Sequence, residues 1–345
     1  MSSSLTIVRA GLLSTLQDRG RFGLRHLGIP WSGCLVPCWQ QLANKLVRNA
    51  PDACVIECWE GGLQLKVEDY PVRIAIASHT SVVASIESAD QKISLKPMRS
   101  YTAHPGDTIA LSSTGNMRQA IMAIAGMSVE SQLGSASTYA KASLGGLNGN
   151  VLNNGNKIVF DYKPDGPELT CTDPLSAAYQ QKVIRLVMGP QETLFSEDGL
   201  HNLLSEEYVL RSDADRMGVR LAGPSVFHRS DDAKNIVSDA IVPGSIQVPG
   251  NGQPIILLSD AHTAGGYPKV ATVISIDLPL PGLLRAGTRF RFRAISLDDA
   301  IRATRQQHGL VQETLKNMKP VISDSLSTQT LLANNLIDGV TDGTS

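Results

Sequence analysis

The 345-residue sequence predicts a mainly β fold of the barrel or sandwich type. Short runs of β-branched and apolar residues recur along most of the chain, as expected for strands. Turn signals rich in glycine, proline and asparagine separate several of these runs, for example at residues 105–107, 154–155 and 249–252. Many short strands joined by glycine-rich turns favour barrels and sandwiches over a doubly wound α/β sheet.

The predicted strands fall into two groups, one in each half of the chain. Those of the first half lie at residues 5–9, 63–67, 72–77, 81–86, 107–111 and 120–125. Those of the second half lie at residues 183–188, 254–258, 270–276 and 289–295. Residues 161–178 contain three prolines and few large apolar side chains, which is typical of a connection. We therefore expect an N-terminal half at residues 1–165 and a C-terminal half at residues 180–320.

Two segments have the apolar period of an amphipathic helix. The first is expected to end near Asn49, and its apolar stripe is Trp39, Leu42, Ala43, Leu46 and Val47. The second begins at the predicted N-cap Ser296, with Asp299 three residues later, and Pro320 ends it. Its predicted apolar stripe is Leu297, Ala300, Ile301 and Thr304. Residues 321–345, rich in Ser, Thr, Asn and Asp, are predicted to be a loose tail.

Composition limits the class of partner. A formal net charge of -1 gives no general attraction to nucleic acid or to an anionic membrane. No apolar run approaches the roughly 20 residues that a membrane helix needs. The N-terminus lacks the basic start and apolar stretch of a signal peptide, so we expect a cytoplasmic location.

The five cysteines leave one alternative open. Their odd number and uneven spacing argue against a secreted disulfide framework. Cys34, Cys38, Cys54 and Cys58 could be imagined as four zinc thiolates. Small buried thiols in a helix and a strand explain the same positions, so no metal site is predicted.

Several common catalytic motifs are missing from the sequence. It has no GxxxxGK[ST] phosphate loop, no strand-associated GxGxxG, no GxSxG and no HExxH. Nothing in it matches the setting of a biotinylated lysine. ATP or biotin, if the chemistry uses either, is therefore expected to be held unconventionally or by another subunit.

Residues 238–269 contain the densest group of chemically useful side chains. Asp260 and His262 follow a predicted buried strand and could move protons, and Lys269 could neutralise a phosphate or carboxylate. We predict these three as catalytic. The predicted substrate- or ATP-binding residues are Arg216, Gln247, Gln253, Thr263, Gly265, Gly266 and Tyr267.

The types of these binding residues suggest their roles. Gln247 and Gln253 could read an amide or ureido group, and Gly265 and Gly266 would let the backbone approach a ligand closely. The alternative is a tight turn capped by Asp260. Arg216, beside two carboxylates, could clamp an anion or form a structural ion pair.

The sequence resembles the allophanate hydrolase subunit 2 family over about residues 5–305. The matching segments, in order, are residues 16–21, 28–33, 43–49, 134–138, 145–149, 189–191, 215–218, 246–249 and 265–269. This resemblance implies a fold of two cyclophilin-like β-barrel halves. It also implies a heteromeric enzyme with two partner proteins, one of the KipI (AHS1) type and one that is LamB/YcsF-like.

For 5-oxoprolinase members, the resemblance implies ATP-dependent opening of 5-oxoproline to L-glutamate, with ATP and Mg supplied in the complex. Phosphorylation of the lactam oxygen would make a poor electrophile open to water, and basic or amide groups would stabilise the developing charge. Two alternatives stay open. One is the carboxyltransferase component of a biotin-dependent urea or amide carboxylase, and the other is a KipA-like protein that binds a kinase inhibitor.

The sequence departs from the family pattern at a few positions. The aspartate after SGxM is Val36, the arginine of GSRST is Ala136, and the serine before Asp215 is Ala214. In DxQTTGGYP, His262 replaces the glutamine and Ala264 replaces the second threonine. These departures leave the substrate open.

Overall fold

A computed structural model describes residues 3–161 and 164–322. Most of the predicted tail, residues 323–345, lies outside the described residues. The strands that precede the connection are β1 Ser3–Ala10, β2 Leu13–Gln17, β3 Val55–Trp59, β4 Leu63–Val67, β5 Val72–Ala77, β6 Val83–Glu87, β7 Lys92–Ser94, β8 Arg99–Ala103, β9 Thr108–Ser113, β10 Gln119–Ile124 and β11 Lys157–Phe160.

The remaining strands begin in the connection. They are β12 Leu169–Thr170, β13 Val183–Met188, β14 Glu207–Leu210, β15 Gly218–Ala222, β16 Asp239–Ala240, β17 Ser245–Gln247, β18 Ile255–Leu257, β19 Ala264–Gly265, β20 Lys269–Val273, β21 Arg289–Ala294 and β22 Lys319–Pro320. The α-helices in the described part of the chain are α1 Pro37–Leu46, α2 Glu197–Ser205, α3 Pro279–Leu283 and α4 Leu297–Lys316.

The predicted fold class is confirmed, because the chain is mainly β and its strands build barrel-like halves. In the first half, one sheet has the order β11-β1-β4-β9-β6-β7 and the other β2-β3-β10-β5-β8-β12-β22. In the second half, β13-β20-β17-β18-β15-β14-β21 form a closed barrel. The parallel pairing of β13 with β21 closes this barrel.

Residue size in β5 explains how α1 packs on the first half. Along β5, Ile74 and Ile76 face the core between the two sheets, while Ala75 and Ala77 face the core that contains α1. The two sets alternate because successive strand side chains point to opposite faces. The small alanines let the helix lie close to the sheet, so both faces of β5 are buried.

The apolar stripe predicted for α1 is confirmed, because all five of its side chains are buried. The helix ends at Leu46, three residues before the predicted stop. Asn49 instead bonds to Asn44, to the carbonyl of Ile124 and to the amide of Gly126.

The N-cap predicted for α4 is confirmed, but its predicted stripe is buried only at Ala300 and is wrong at Leu297, Ile301 and Thr304. The hydroxyl of Ser296 accepts a bond from the amide of Asp299 at 3.1 Å. Leu297 and Ile301 are exposed, however, and the helix packs through Ala300, Val311 and Leu315. The C-terminal half of α4 packs through Val311 and Leu315, whereas Ala300 is the buried side chain of its first turn, a change along the helix that a local period does not reveal.

One hydrophobic core joins the two halves. It includes Trp39 and Leu42 of α1, Phe290 of the closed barrel and Leu283 of α3. A separate core lies between the two sheets of the first half. After α4 the chain returns to the first half, where β22 pairs with β12. Within the described ranges, 3–161 and 164–322, no helix has the length and apolarity needed to cross a membrane.

Candidate functional site

A cleft of about 270 Å³ opens on one side of the closed barrel. Its apolar wall comes from Met217, from Ile255 and Leu257 of β18, and from Ile241. Its polar groups are Lys141, Asp215, Arg220, Gln247 and His262. Lys141 lies in the first half and the others lie in the second, so both halves build the cleft.

A smaller recess of about 140 Å³ adjoins the cleft. The two cavities share Lys141, Asp215 and Met217. The recess is lined from the first half by Thr138 and Tyr139, and from the second half by Arg216 and Asp260. Arg216 and Asp260, two of the site residues predicted from the sequence, therefore lie where the two halves meet.

Arg216 is the centre of a buried polar network. Its Nε and Nη2 atoms donate to the two carboxylate oxygens of Asp260 at 3.0 and 3.2 Å. Its Nη1 atom donates to Oε1 of Glu57 on β3, and Nη2 also donates to the carbonyl of Gly33 at 2.6 Å. The arginine thus ties the second half to two segments of the first.

Glu57 is fully buried, and two further donors to its carboxylate come from the first half. The backbone amide of Leu35 donates to Oε2 at 2.8 Å, and the indole of Trp59 donates to Oε1 at 3.0 Å. Charged groups out of water require such pairing and hydrogen bonding. The network fixes the floor of the recess in one geometry.

Burial is the largest single influence on the pKa values of Asp260 and Arg216. It raises the pKa of Asp260 above the usual value, and the adjacent Arg216 only partly offsets this rise. Burial would lower the pKa of Arg216, but the charges of Asp260 and Glu57 raise it on balance. The guanidinium therefore stays charged, and Asp260 is the carboxyl in this network whose pKa is shifted towards proton binding.

Lys269 lies outside the linings of both cavities. Its ammonium group donates to Oδ2 of Asp239 at 2.6 Å, and its backbone amide donates to Oε1 of Gln191. Gln191 in turn donates to Asp239 at 3.0 Å. Lys269 therefore holds the segment that carries β16, and its charge is already paired.

The predicted site residues in and near the segment after β18 differ in exposure and in hydrogen bonding. His262 is exposed and lines the cleft, and its carbonyl accepts a bond from Arg25 of the first half at 2.9 Å. Gln247 is 7% exposed in the cleft wall, and its amide nitrogen donates to the carbonyl of Tyr267 at 3.4 Å. The carbonyl of Thr263 accepts from Ile241, which closes the pairing of β16 with β19.

The two glycines of this segment have different environments. A Cβ on Gly265 would lie 2.7 Å from the side-chain nitrogen of Gln247 and 2.7 Å from Cδ1 of Ile241. For Gly266, the nearest atom would be the carbonyl oxygen of Ile236, at 3.3 Å. Gly265 is therefore the glycine that close packing against the cleft wall requires.

Gln253 is placed apart from the cleft. Its side-chain nitrogen donates to the carbonyl of Gly223 at 3.1 Å, and its oxygen accepts from the amide of Gly223. It also approaches the hydroxyl of Ser225 at 3.5 Å. In this position Gln253 holds a turn of the second half.

Sequence reasoning missed Glu57 and Lys141. Glu57 had a usable signal, because it is a carboxylate inside an otherwise apolar strand, and such a group needs a partner. Lys141 had no comparable signal, since it lies in a short 3₁₀ turn among small residues.

The cysteines divide between the two cores. Cys34 and Cys38 belong to the core shared by the halves, and Cys54 and Cys58 belong to the core of the first half. Among residues 3–161 and 164–322, no group of three or more His, Cys, Asp or Glu side chains is arranged to hold a metal ion.

Residues 27–294 match the family model described as carboxyltransferase domain, subdomain A and B. The chain belongs to this carboxyltransferase domain family. It is 31% identical to the C subunit of 5-oxoprolinase from Escherichia coli (strain K12) over 310 residues, which cover 88% of this chain and 95% of that protein.

Parts of longer proteins are also similar to this chain. Urea amidolyase of Lachancea kluyveri is 27% identical in an alignment 342 residues long, which covers 91% of this chain but only 18% of that protein. The crystal structure of Kluyveromyces lactis urea carboxylase has a TM-score of 0.81 at 23% identity. That likeness covers 93% of this chain and 30% of the yeast chain, and it shows the shared fold.

Two departures from the family pattern have a structural setting in this carboxyltransferase domain. Val36 is the N-cap residue of α1, is fully buried, and makes no side-chain cap. Ala136 donates its amide to Oδ2 of Asp18 at 2.6 Å, while Ser135 and Ser137 donate their hydroxyls to Oδ1. Val36 therefore belongs to the core shared by the two halves, and Ala136 belongs to the core of the first half.

Proposed function

We propose that this chain is one component of an ATP-dependent 5-oxoprolinase that opens 5-oxoproline to L-glutamate. The observation that carries the proposal is the 31% identity to the C subunit of a 5-oxoprolinase along nearly the whole length of both proteins. The partners in this proposal are a KipI-type protein, equivalent to the B subunit of 5-oxoprolinase, and a LamB/YcsF-like protein, equivalent to the A subunit. The chain is expected to be inactive alone.

The size and polarity of the cleft suit a small substrate. Its volume of about 270 Å³ lies just below the roughly 300–1,000 Å³ typical of drug-sized ligands. The apolar wall formed by Ile255, Leu257 and Met217 matches the methylene groups of a five-membered lactam ring. The polar groups of the same lining offer partners for its amide and carboxylate.

Three side chains of the cleft have distinct proposed roles. Lys141 binds the substrate carboxylate, because it is exposed in the cleft and no ion pair holds it among the described residues. The carboxamide of Gln247 forms hydrogen bonds with the lactam amide, since it offers both a donor and an acceptor. His262 transfers the proton that ring opening requires.

Asp260 and Arg216 contribute indirectly in this proposal. Their ion pair ties the loop of His262 to Arg216, and Arg216 also donates to Glu57 and to the carbonyl of Gly33 in the first half. Lys269 holds the neighbouring β16–β19 pair through Asp239. We therefore assign these charged residues to positioning the cleft rather than to contacting the substrate.

The cleft does not fit ATP with Mg. Of the two cations that line the cleft, Arg220 is 3.7 Å from Asp213, which leaves Lys141 as the cation without an ion pair among the described lining residues. The buried cations nearby are also paired, Arg216 with two carboxylates and Lys269 with one. The cleft is also small for a nucleotide triphosphate. We accordingly propose that ATP is bound by a partner protein, where it supplies the activation that lactam opening needs.

A second candidate is a carboxyltransferase acting on urea or another small amide. The 27% identity to a urea amidolyase along 91% of this chain favours it. In that case biotin would be delivered on a carrier encoded elsewhere. Urea has no carboxylate, so the role of Lys141 separates the two candidates.

The test is ATP hydrolysis by this chain co-purified with its two proposed partners, measured with and without 5-oxoproline. We expect stimulation by 5-oxoproline. His262→Ala should lower the stimulated kcat by about 10²–10⁴, the usual contribution of a general acid or base. Lys141→Ala should instead raise KM about 10- to 100-fold, because it removes a charge-assisted hydrogen bond.

Two exposed residues away from the cleft provide the controls. His308→Ala and Lys66→Ala should leave both constants unchanged, since both side chains are exposed outside the cleft. The proposal is wrong if the intact complex hydrolyses ATP at the same rate with and without 5-oxoproline. Stimulation by urea that is insensitive to Lys141→Ala would favour the second candidate.

A further inference from the structure

The junction between the cleft and the recess carries two opposite charges. Lys141, Asp215 and Met217 line both cavities. Lys141 comes from the first half of the chain and Asp215 from the second, and both side chains are exposed. The roles proposed for the cleft use Lys141 for the substrate carboxylate and leave Asp215 without a partner.

Asp215 is held in place with one carboxylate oxygen free. Its Oδ1 atom accepts from the backbone amides of Met217 at 2.8 Å and Gly218 at 3.2 Å. Within residues 3–161 and 164–322, its Oδ2 atom has no hydrogen bond, and neither Asp215 nor Lys141 forms an ion pair. Both charges are therefore available to a ligand at the same junction.

The charge of Asp215 does not favour the binding of 5-oxoproline itself. The lactam nitrogen of this substrate is neutral, so its N–H group offers Asp215 one hydrogen bond and no charge. The negative charge of Asp215 also opposes that of the substrate carboxylate. A carboxylate in this position is more useful to a later state of the reaction.

Ring opening changes the charge on the lactam nitrogen. A water oxygen bonds to the ring carbonyl carbon, the C–N bond breaks, and its electron pair goes to nitrogen. The nitrogen takes up two protons, one from this water through His262 and one released by the new γ-carboxyl group. The coupled hydrolysis of ATP consumes a second water molecule and leaves this balance unchanged. The product therefore has an α-ammonium group on the same carbon as the α-carboxylate.

We propose that this junction binds the zwitterionic α-amino acid that ring opening creates. Lys141 pairs with the α-carboxylate, Asp215 pairs with the α-ammonium group, and Met217 contacts the adjoining methylene group. The two charged groups of an α-amino acid share one carbon, so their partners must flank one point, as the shared lining of the two cavities provides.

This role of Asp215 rests on the proposed function, because that reaction supplies the amine. Asp215 interacts more strongly with the ammonium group than with the neutral lactam. It therefore stabilises the ring-opened state relative to the bound substrate, which is the kind of differential binding that raises kcat.

Binding of L-glutamate to the full chain, measured by isothermal titration calorimetry, tests the junction. Glutarate is the probe that lacks the ammonium group, and 4-aminobutyrate is the probe that lacks the α-carboxylate. The wild-type chain should bind L-glutamate about 10- to 100-fold more tightly than either probe, because each lacks one charge-assisted hydrogen bond.

Two variants assign the two contacts separately. Asp215→Asn should abolish the preference for L-glutamate over glutarate, yet bind 5-oxoproline at least as tightly as the wild type, because it removes a like charge. Lys141→Ala should instead abolish the preference over 4-aminobutyrate. Asp90→Asn, at an exposed position outside both cavities, should have no effect.

The opposite effects on L-glutamate and 5-oxoproline separate a specific contact from a general loss of structure. The inference is wrong if the wild-type chain binds L-glutamate no more tightly than glutarate, a comparison that decides even if Asp215→Asn does not fold. It is also wrong if a folded Asp215→Asn variant loses L-glutamate and 5-oxoproline alike.

The two proposals fail in different ways. Stimulation of ATP hydrolysis by 5-oxoproline without a preference for L-glutamate would overturn only the role of Asp215. A preference that depends on Asp215, in a complex whose ATP hydrolysis does not respond to 5-oxoproline, would support the zwitterion site and overturn only the 5-oxoprolinase function.

Discussion

Arg216 shows at the scale of one residue how the two halves are held at the candidate site. Its guanidinium donates in three directions, to Asp260, Glu57 and the carbonyl of Gly33. A planar group with five donors can satisfy all three at once, whereas an ammonium group lacks this fork geometry. Two carboxylates depend on it, because both are buried where water does not replace the arginine.

Replacement of Arg216 should be strongly destabilising. Arg216→Met leaves Glu57 and Asp260 buried without a cation, which costs about 3–5 kcal/mol for a broken buried pair. Arg216→Lys should recover only part of this loss, because lysine cannot donate to both carboxylates in the same planar arrangement. Urea unfolding followed by tryptophan fluorescence measures the effect.

An exposed ion pair is the matched control for this substitution. Arg211 pairs with Asp213 at 2.9 Å, but both side chains are largely in solvent. Arg211→Met should leave the free energy of unfolding nearly unchanged, as is usual for surface pairs. A similar small effect for Arg216→Met would contradict the structural role assigned to the buried network.

The short pair of β16 and β19 shows at the scale of an element how the cleft wall is shaped. Asp239 lies opposite Gly265, and Ala240 lies opposite Ala264. The ion pair between Lys269 and Asp239 holds one side of this pair. The other side rests on Gln247 and Ile241, both of which line the cleft.

Gly265→Ala should therefore disturb the cleft, whereas Gly266→Ala should not. The new methyl at position 265 would meet Gln247 and Ile241 at 2.7 Å, so the cleft wall must move. Because both contacts are with the ends of flexible side chains, we expect a stability loss near the lower end of the roughly 1–3 kcal/mol usual for overpacking, together with a raised KM for the substrate. Thermal unfolding and steady-state kinetics of the complex measure the two effects.

Comparison of Gly265→Ala with Gly266→Ala separates the effect of the contact with Gln247 and Ile241 from the effect of replacing a glycine in this segment. The two glycines are adjacent, Gly265 at the end of β19 and Gly266 directly after it, and neither has a positive φ. At Gly266 the nearest atom would be 3.3 Å away, which a small adjustment accommodates. If the two substitutions change stability and KM equally, the contact with the cleft wall is not the cause of the change.

The shared core shows at the scale of the whole molecule that the two halves are energetically coupled. Leu283 of α3 is fully buried in the core that also contains Trp39 of α1 and Phe290 of the barrel. The backbone also crosses between the halves, since the amide of Arg118 donates to the carbonyl of Leu283 at 2.8 Å. Such an interface makes independent unfolding of either half unfavourable.

Unfolding should accordingly be one cooperative transition. Leu283→Ala should lower the free energy of unfolding by about 2–5 kcal/mol, the usual cost of a core cavity. All three tryptophans lie in the first half, whereas circular dichroism reports on both halves. We expect the two signals to shift together and to stay coincident.

Uncoupled halves would behave differently in this measurement. Leu283→Ala would then shift only part of the circular dichroism transition and leave the fluorescence transition in place. Leu65→Ala is the companion variant, because Leu65 belongs to the core confined to the first half. It should shift both signals equally if the molecule unfolds as one unit.

The sequence by itself determined the mainly β class, the buried stripe of α1, the N-cap of α4 and the family. It also singled out Arg216 and Asp260, which lie together at the meeting of the halves. These features depend on short-range patterns: alternation along strands, the helical period, capping chemistry and family motifs. Each can be read without knowing which distant segment lies opposite.

Only the tertiary structure decided which groups meet across the chain. It paired Glu57 with Arg216 over 159 positions, brought Lys141 to the cleft, and placed Gln253 on a separate turn. It also exposed Leu297 and Ile301, which the helical period predicted to be buried. The physical reason is that burial and charge pairing depend on the packing of remote elements, which a local pattern does not encode.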